Sequence, residues 1–209
     1  MILECDLIIA IDPGISNGGM VDWRGNAIEA VKCPSEPQDI MKRMKYLFEI
    51  RQHPIGIIER VGHFGGSKDS GGKKFNIDKL ARHAERLKSG FSFAEIPYVQ
   101  VSPVEWQKVL NLKKDQEDGI DYSEYAKLKK NPILNKDRIA KIEYYIKKAR
   151  KDRYKVAAQH YYPQIKATNW NCDAILLIEL MRRKLKFDPQ WILDKLPKEA
   201  QAQLRILTP

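Results

Sequence analysis

The chain has 209 residues, with 37 Lys plus Arg against 27 Asp plus Glu and a formal net charge of +10; this is room for one domain with an ordinary core and points to a polyanionic partner. Its three cysteines, Cys5, Cys33 and Cys172, have no paired spacing, which argues against zinc or a disulfide framework and for small buried residues in a reduced compartment. No apolar run reaches membrane-span length and residues 1–6 lack a signal-peptide pattern, so the expected location is the cytosol, bacterial or, for a viral protein, that of the host.

From the N-terminus, Leu7-Ile8-Ile9-Ala10-Ile11 is a continuous apolar run ending on Asp12 before Pro13-Gly14, the pattern of a strand buried on both faces. Residues 20–23 and 27–32, separated by Arg24-Gly25-Asn26, complete an antiparallel meander with tight turns. Ile40, Met44, Leu47 and Phe48 recur at helical spacing and predict an amphipathic helix that stops near His53-Pro54. Ile55-Gly56-Ile57-Ile58 then ends on Glu59, and a strand arriving after a helical crossover is expected to run parallel to the first.

Residues 60–74 read as a Gly-, Ser- and Lys-rich loop, followed by a helix with Ile77, Leu80, Ala81, Ala84 and Leu87 on one side. Residues 98–101 read as a strand, and Ser102-Pro103 as the start of a helix containing Trp106. From 113 to 150 the composition turns charged and Tyr-rich, which reads as a basic insertion with a helix over 136–148; further helices are expected at 153–161 and 172–185. The order predicts an α/β fold with a mixed five-stranded sheet, three antiparallel strands then parallel ones, flanked by helices. Residues 1–187 are expected to form one domain carrying the 113–150 insertion, and 188–209 a C-terminal helical tail.

Three carboxylates stand where that layout can bring them together. Asp12 and Glu59 close buried-looking strands that should be neighbours, and Asp173 opens the apolar helix Ala174-Ile175-Leu176-Leu177-Ile178. An unpaired carboxylate in a low-dielectric setting costs roughly several kcal/mol unless a cation meets it, so a divalent-metal site is the economical reading. Structural alternatives stay open: a turn-forming Asp12, a Glu59 paired with Arg60 or Arg82, and an Asp173 that only favours its helix end.

The segments Ile9-Ala10-Ile11-Asp12-Pro13-Gly14 with Gly18-Gly19, Ile57-Ile58-Glu59-Arg60-Val61, Val101-Ser102-Pro103-Val104-Glu105-Trp106-Gln107 and Asp173-Ala174 follow one another in an order that resembles RuvC-type Holliday junction resolvases of the ribonuclease H-like superfamily, most closely the bacteriophage versions. The resemblance implies a ribonuclease H-like fold and two-metal hydrolysis of branched double-stranded DNA by a homodimer. It also implies Mg²⁺, with Mn²⁺ able to substitute, held by Asp12, Glu59 and Asp173. Phosphodiester hydrolysis by two Mg²⁺ ions needs an acid inventory of this kind without Cys or His.

One departure is Trp170, which stands where those resolvases carry a fourth acid. Asn169, one helical turn before Asp173, is the nearest substitute ligand, its rival reading being an N-cap; His160 is a remoter one. For nucleic acid, the 60–74 loop offers Phe64 as a stacking ring and Lys68, Lys73 and Lys74 for phosphates; Lys113, Lys114, Lys147, Lys148, Arg150 and Lys151 extend the basic face. Residues 136–155 alone hold nine basic and three acidic side chains. The incomplete acid set leaves a second class open, a branched-DNA-binding accessory protein that does not cut.

Overall fold

A computed structural model of the chain describes residues 2–61, 71–112 and 121–207. In chain order its elements are β1 (Ile2–Leu3), β2 (Leu7–Asp12), β3 (Gly19–Arg24), β4 (Ala27–Lys32), α1 (Pro37–Glu49), β5 (Pro54–Glu59), α2 (Gly71–Phe93), β6 (Tyr98–Val101) and α3 (Pro103–Val109). There follow α4 (Tyr122–Leu128), α5 (Lys136–Tyr161), α6 (Cys172–Phe187), α7 (Pro189–Lys195), α8 (Lys198–Gln201) and β7 (Ile206–Leu207). None of the described helices is long and apolar enough to cross a membrane.

The main sheet has five strands in the order β4-β3-β2-β5-β6. The β2–β3 and β3–β4 pairs are antiparallel, and β2–β5 and β5–β6 are parallel. This is the mixed sheet expected from the sequence. Side chains alternate along a strand, so Leu7, Ile9 and Ile11 pack with Ile40, Met44 and Leu47 of α1 and with Leu87 and Phe91 of α2. Ile8 and Ala10 of β2, with Ile55 and Ile57 of β5, pack on the opposite face against α6. Asp12 and Glu59 continue the second series. Parity alone therefore aims both carboxylates at the α6 side, at the carboxyl ends of neighbouring parallel strands.

Every residue of α6 from Cys172 to Ile178 is buried, which is why this stretch reads as a continuous apolar run and not as a stripe. On the other face Asp22 of β3, only 1% exposed, is held by Arg24 at 2.6 Å and by Arg43 of α1 at 2.5 Å. That pair fastens α1 across the sheet.

Several expectations are corrected. The helices anticipated at 136–148 and 153–161 are one helix, α5, because the residues between them include no Gly or Pro to break it. Helix α4 was not anticipated, although Asp121 accepts from the N–H groups of Ser123 and Glu124 and so carries a cap signal. Helix α2 starts at Gly71, inside the segment read as a loop. The described residues of the 188–209 segment contain α7 and α8 and then β7, which pairs antiparallel with β1 through Ile2↔Leu207 and Leu3↔Ile206.

Candidate metal centre

Strand register sets the first two acids side by side. Ile11 of β2 is level with Ile58 of β5, so Asp12 and Glu59 follow on adjacent strands. Asp12 itself is level with Gly19 of β3, and a side chain at Gly19 would collide with the Trp170 carbonyl and the Asn171 Cα. Glycine there lets the turn before α6 close onto the sheet. That contact delivers Asp173, in the first turn of α6, to the other two acids. One oxygen from each of Asp12, Glu59 and Asp173 lies within 4.8 Å of the others.

Each acid has a defined neighbour. Glu59 Oε2 accepts from the Trp106 indole N–H at 2.7 Å, and Trp106 is wholly buried on α3, edge-on to Tyr154 with ring centroids 5.2 Å apart. Ser102 positions that helix by accepting from the Glu105 N–H with its side chain. Asp173 Oδ2 accepts from Lys151 Nζ at 2.6 Å, and its Oδ1 from Cys172 Sγ at 3.1 Å.

When all three acids are ionised, the cluster carries an excess of negative charge. Burial, then Asp173 and Glu59, push the Asp12 carboxyl well above the ordinary carboxylate range, with Lys151 acting the other way. Glu59 is pushed up to about 7 by burial and by Asp173, against the Trp106 hydrogen bond and the charges of Lys151 and Arg150. Burial works against the charge on Lys151, yet Asp173 and then Asp12 more than offset it and raise its pKa. Two carboxylates about 5 Å apart repel by roughly 3 kcal/mol at an effective dielectric near 20. One ammonium cannot balance three such groups. All three offer hard oxygen donors and none is Cys or His, so the donor set fits divalent cations of the Mg²⁺ or Mn²⁺ kind.

The remaining sequence candidates divide. Asn169 lies in the turn before α6, exposed and without a hydrogen bond among the described residues. It is not the N-cap residue, a position taken by Asn171. Buried Asn171 instead accepts from the Thr168 N–H at 2.7 Å and Oγ1 at 2.9 Å and donates to the Lys166 carbonyl, holding the turn in shape. His160 is exposed on α5. Lys147, Lys148 and Arg150 are exposed on the same helix, as a nucleic-acid face requires. Lys151 departs from that group, because its ammonium points into the acids. Phe64, Lys68, Lys113 and Lys114 lie outside the described residues, and Lys73 and Lys74 fall in the first turns of α2 with side chains outside the description.

Sequence reasoning also passed over Trp106 as a partner of Glu59. Its signal was present: an indole N–H three residues into a capped helix that follows the strand beside Glu59.

Among solved structures, the chain is similar to Thermus thermophilus RuvC in complex with Holliday junction substrate, at 12% identity over 87% of this chain and 96% of that one, with a TM-score of 0.51. The fold is RuvC-like. A second structure of T. thermophilus RuvC matches at 11% identity over 91% of this chain and 98% of that one, with a TM-score of 0.47. No protein-family profile and no curated protein sequence matches the chain. In this RuvC-like fold Asp12 and Glu59 occupy the carboxyl ends of parallel strands, where α/β sheets commonly place ligands, and Asp173 reaches them from the first turn of α6.

Proposed function

We propose that the chain is a divalent-metal-dependent endonuclease that cuts branched double-stranded DNA such as a four-way junction. The observation that carries this reading is the convergence of Asp12, Glu59 and Asp173 within 4.8 Å. These three residues would hold the metal, with the exposed amide of Asn169 available as a fourth oxygen donor in place of the acid that Trp170 replaces. Mg²⁺ suits the all-oxygen set, and Mn²⁺ substitutes for it. When bound, the metal supplies Lewis acidity for attack of water on a phosphodiester and for departure of the leaving oxygen.

The chain's own groups prepare that chemistry. Trp106 donates its indole N–H to one oxygen of Glu59 and so restrains the carboxylate beside the cluster. Lys151 holds Asp173 in place. Lys147, Lys148 and Arg150 extend positive charge away from the acids along α5 for phosphate contacts, which position a duplex without reading its sequence. Phe64, Lys68, Lys73, Lys74, Lys113 and Lys114 join that surface on sequence grounds. A four-way junction has two strands to cut, which a symmetric pair of subunits serves. On sequence grounds the reading includes a likeness to the bacteriophage versions of these resolvases.

Asp12→Asn should abolish cleavage of a synthetic four-way junction in Mg²⁺ while junction binding persists; cleavage at the normal rate would remove the site assignment. The Lys151 ion pair with Asp173 and the absence of an acid at Trp170 favour one other reading, a junction-binding protein that does not cut. It predicts salt-sensitive binding with no product in Mg²⁺ or Mn²⁺.

A further inference from the structure

The hairpin formed by α4 and the first half of α5 is held together by polar contacts of its own. Asp121 caps α4, Glu124 pairs with Arg138 at 2.6 Å, and Glu143 accepts from the Tyr125 hydroxyl at 2.7 Å and lies 3.6 Å from Lys129. Leu128 is the buried residue of α4. Residues 121–150 hold nine Lys or Arg and four acids. Three of those acids are engaged within the hairpin, so the charge it presents outward is cationic.

At its tip this arm carries two aliphatic side chains in full solvent. Ile133 is 92% exposed and Leu134 86%. The turn that presents them is fixed, since the Asn135 amide donates to the carbonyls of Asn131 at 3.0 Å and Leu128 at 3.4 Å. Lys130 and Lys136 flank the pair in sequence, and neither has an ion pair among the described residues. From Lys151, beside the acids, the helix runs back through Lys148, Lys147 and Tyr144 on one face to Lys136. At ~1.5 Å per residue this is about 22 Å, less than the ~34 Å of one duplex turn.

We propose that Ile133 and Leu134 form an apolar wedge that enters an unstacked base step of branched DNA, while Lys130 and Lys136 hold the phosphates on either side. The inference rests on the nuclease reading above and adds a contact to it. Aliphatic wedges between base steps are least costly where stacking is already broken, and a junction centre offers such steps within reach of the arm. A second copy of the chain is the weaker occupant. Tip-to-tip contact would bring lysines together, and two side chains supply far less than the roughly 800 Å² per partner of a stable interface.

The test uses the full chain with a four-way junction carrying 2-aminopurine at its centre and a linear duplex of the same sequence. The intact protein should raise the 2-aminopurine fluorescence of the junction. Ile133→Ser with Leu134→Ser should abolish that rise and weaken junction binding about tenfold, with linear-duplex affinity and circular dichroism unchanged. Ile133→Trp, which keeps an apolar tip, should retain the signal. Lys130→Ala with Lys136→Ala should instead lower the salt dependence of log K by about 1.8. If the intact protein binds the junction and the serine variant matches it in affinity and fluorescence, the wedge is overturned while the nuclease reading stands. A fall in sedimentation mass with DNA binding unchanged would likewise overturn it in favour of contact between copies. Failure of the intact protein to bind junctions would bring down both readings together.

Discussion

At the ends of β2 and β5 three carboxylates are packed among aromatic and aliphatic side chains, whereas along α4 and the first half of α5 the charges stand in water, and the few that pair do so with one another. The two regions acquire their shape by different means. Asp12, Glu59 and Asp173 are positioned by strand parity, by the close approach at Gly19 and by the buried run of α6. The hairpin is positioned by one cap, two ion pairs and an asparagine-locked turn. Burial makes like charges expensive to gather and so creates a demand for cations; exposure leaves cations available to a polyanion but gives the element that bears them little stability of its own.

The largest expected effect tests the first half of that contrast. Glu59, with its pKa pushed to about 7, keeps in the fold a proton that the unfolded chain has lost at its ordinary value of 4.5. The native state therefore binds more protons across that window, and this group's contribution to metal-free stability should fall by up to ~3 kcal/mol as pH rises from 4.5 to about 7, with the raised Asp12 carboxyl acting in the same direction. Urea unfolding in EDTA at pH 5 and pH 8 measures the difference. Mg²⁺ should recover it at pH 8, and a flat profile would mean that the acids do not share one site.

Next in size is Trp106→Phe, which keeps an aromatic ring in the core and removes the donor to Glu59. Loss of a hydrogen bond to a charged acceptor should cost about 1.5–3 kcal/mol at pH 8 and weaken Mn²⁺ binding in a calorimetric titration. Because the Trp106 bond lowers the pKa of Glu59, the upper end of the stability window should also move to higher pH. An unchanged titration would show that Glu59 does not depend on the indole.

The smallest effect belongs to the arm. Asp121→Ala removes the cap of α4 and should cost about 1 kcal/mol, seen as faster hydrogen exchange at 122–128 with sheet amides untouched. Exchange rising through β2 and β5 as well would show that the hairpin and the core unfold together, which would dissolve the contrast.

The sheet and two of its acids were legible because a strand buried on both faces leaves an uninterrupted apolar run, and parity fixes the face of whatever ends it. Leu7 to Asp12 and Pro54 to Glu59 show both. Asp173 was legible for a related reason, at the head of a helix whose first two turns are buried on every side. Lys151 was not, since a lysine in a basic helix carries no local mark of the carboxylate it meets, 22 residues away in the chain. The cap of α6 shows the same limit at shorter range: Asn169 was the N-cap candidate, while Asn171 takes the position. The unbroken α5 was missed because its charge pattern changes along its length while its backbone does not. Strands β1 and β7 have two residues each, too few for any period to register.

The pairing of β1 with β7 has a practical consequence. Glu4, just after β1, lies 3.8 Å from His53 and 3.1 Å from Arg205, and His53 precedes β5, whose six residues at ~3.3 Å each put Glu59 about 17–20 Å further on. Both short strands therefore sit at the pole of the sheet remote from the acids. A surface tether attached near either of them would hold single molecules with the acidic end facing freely into solution.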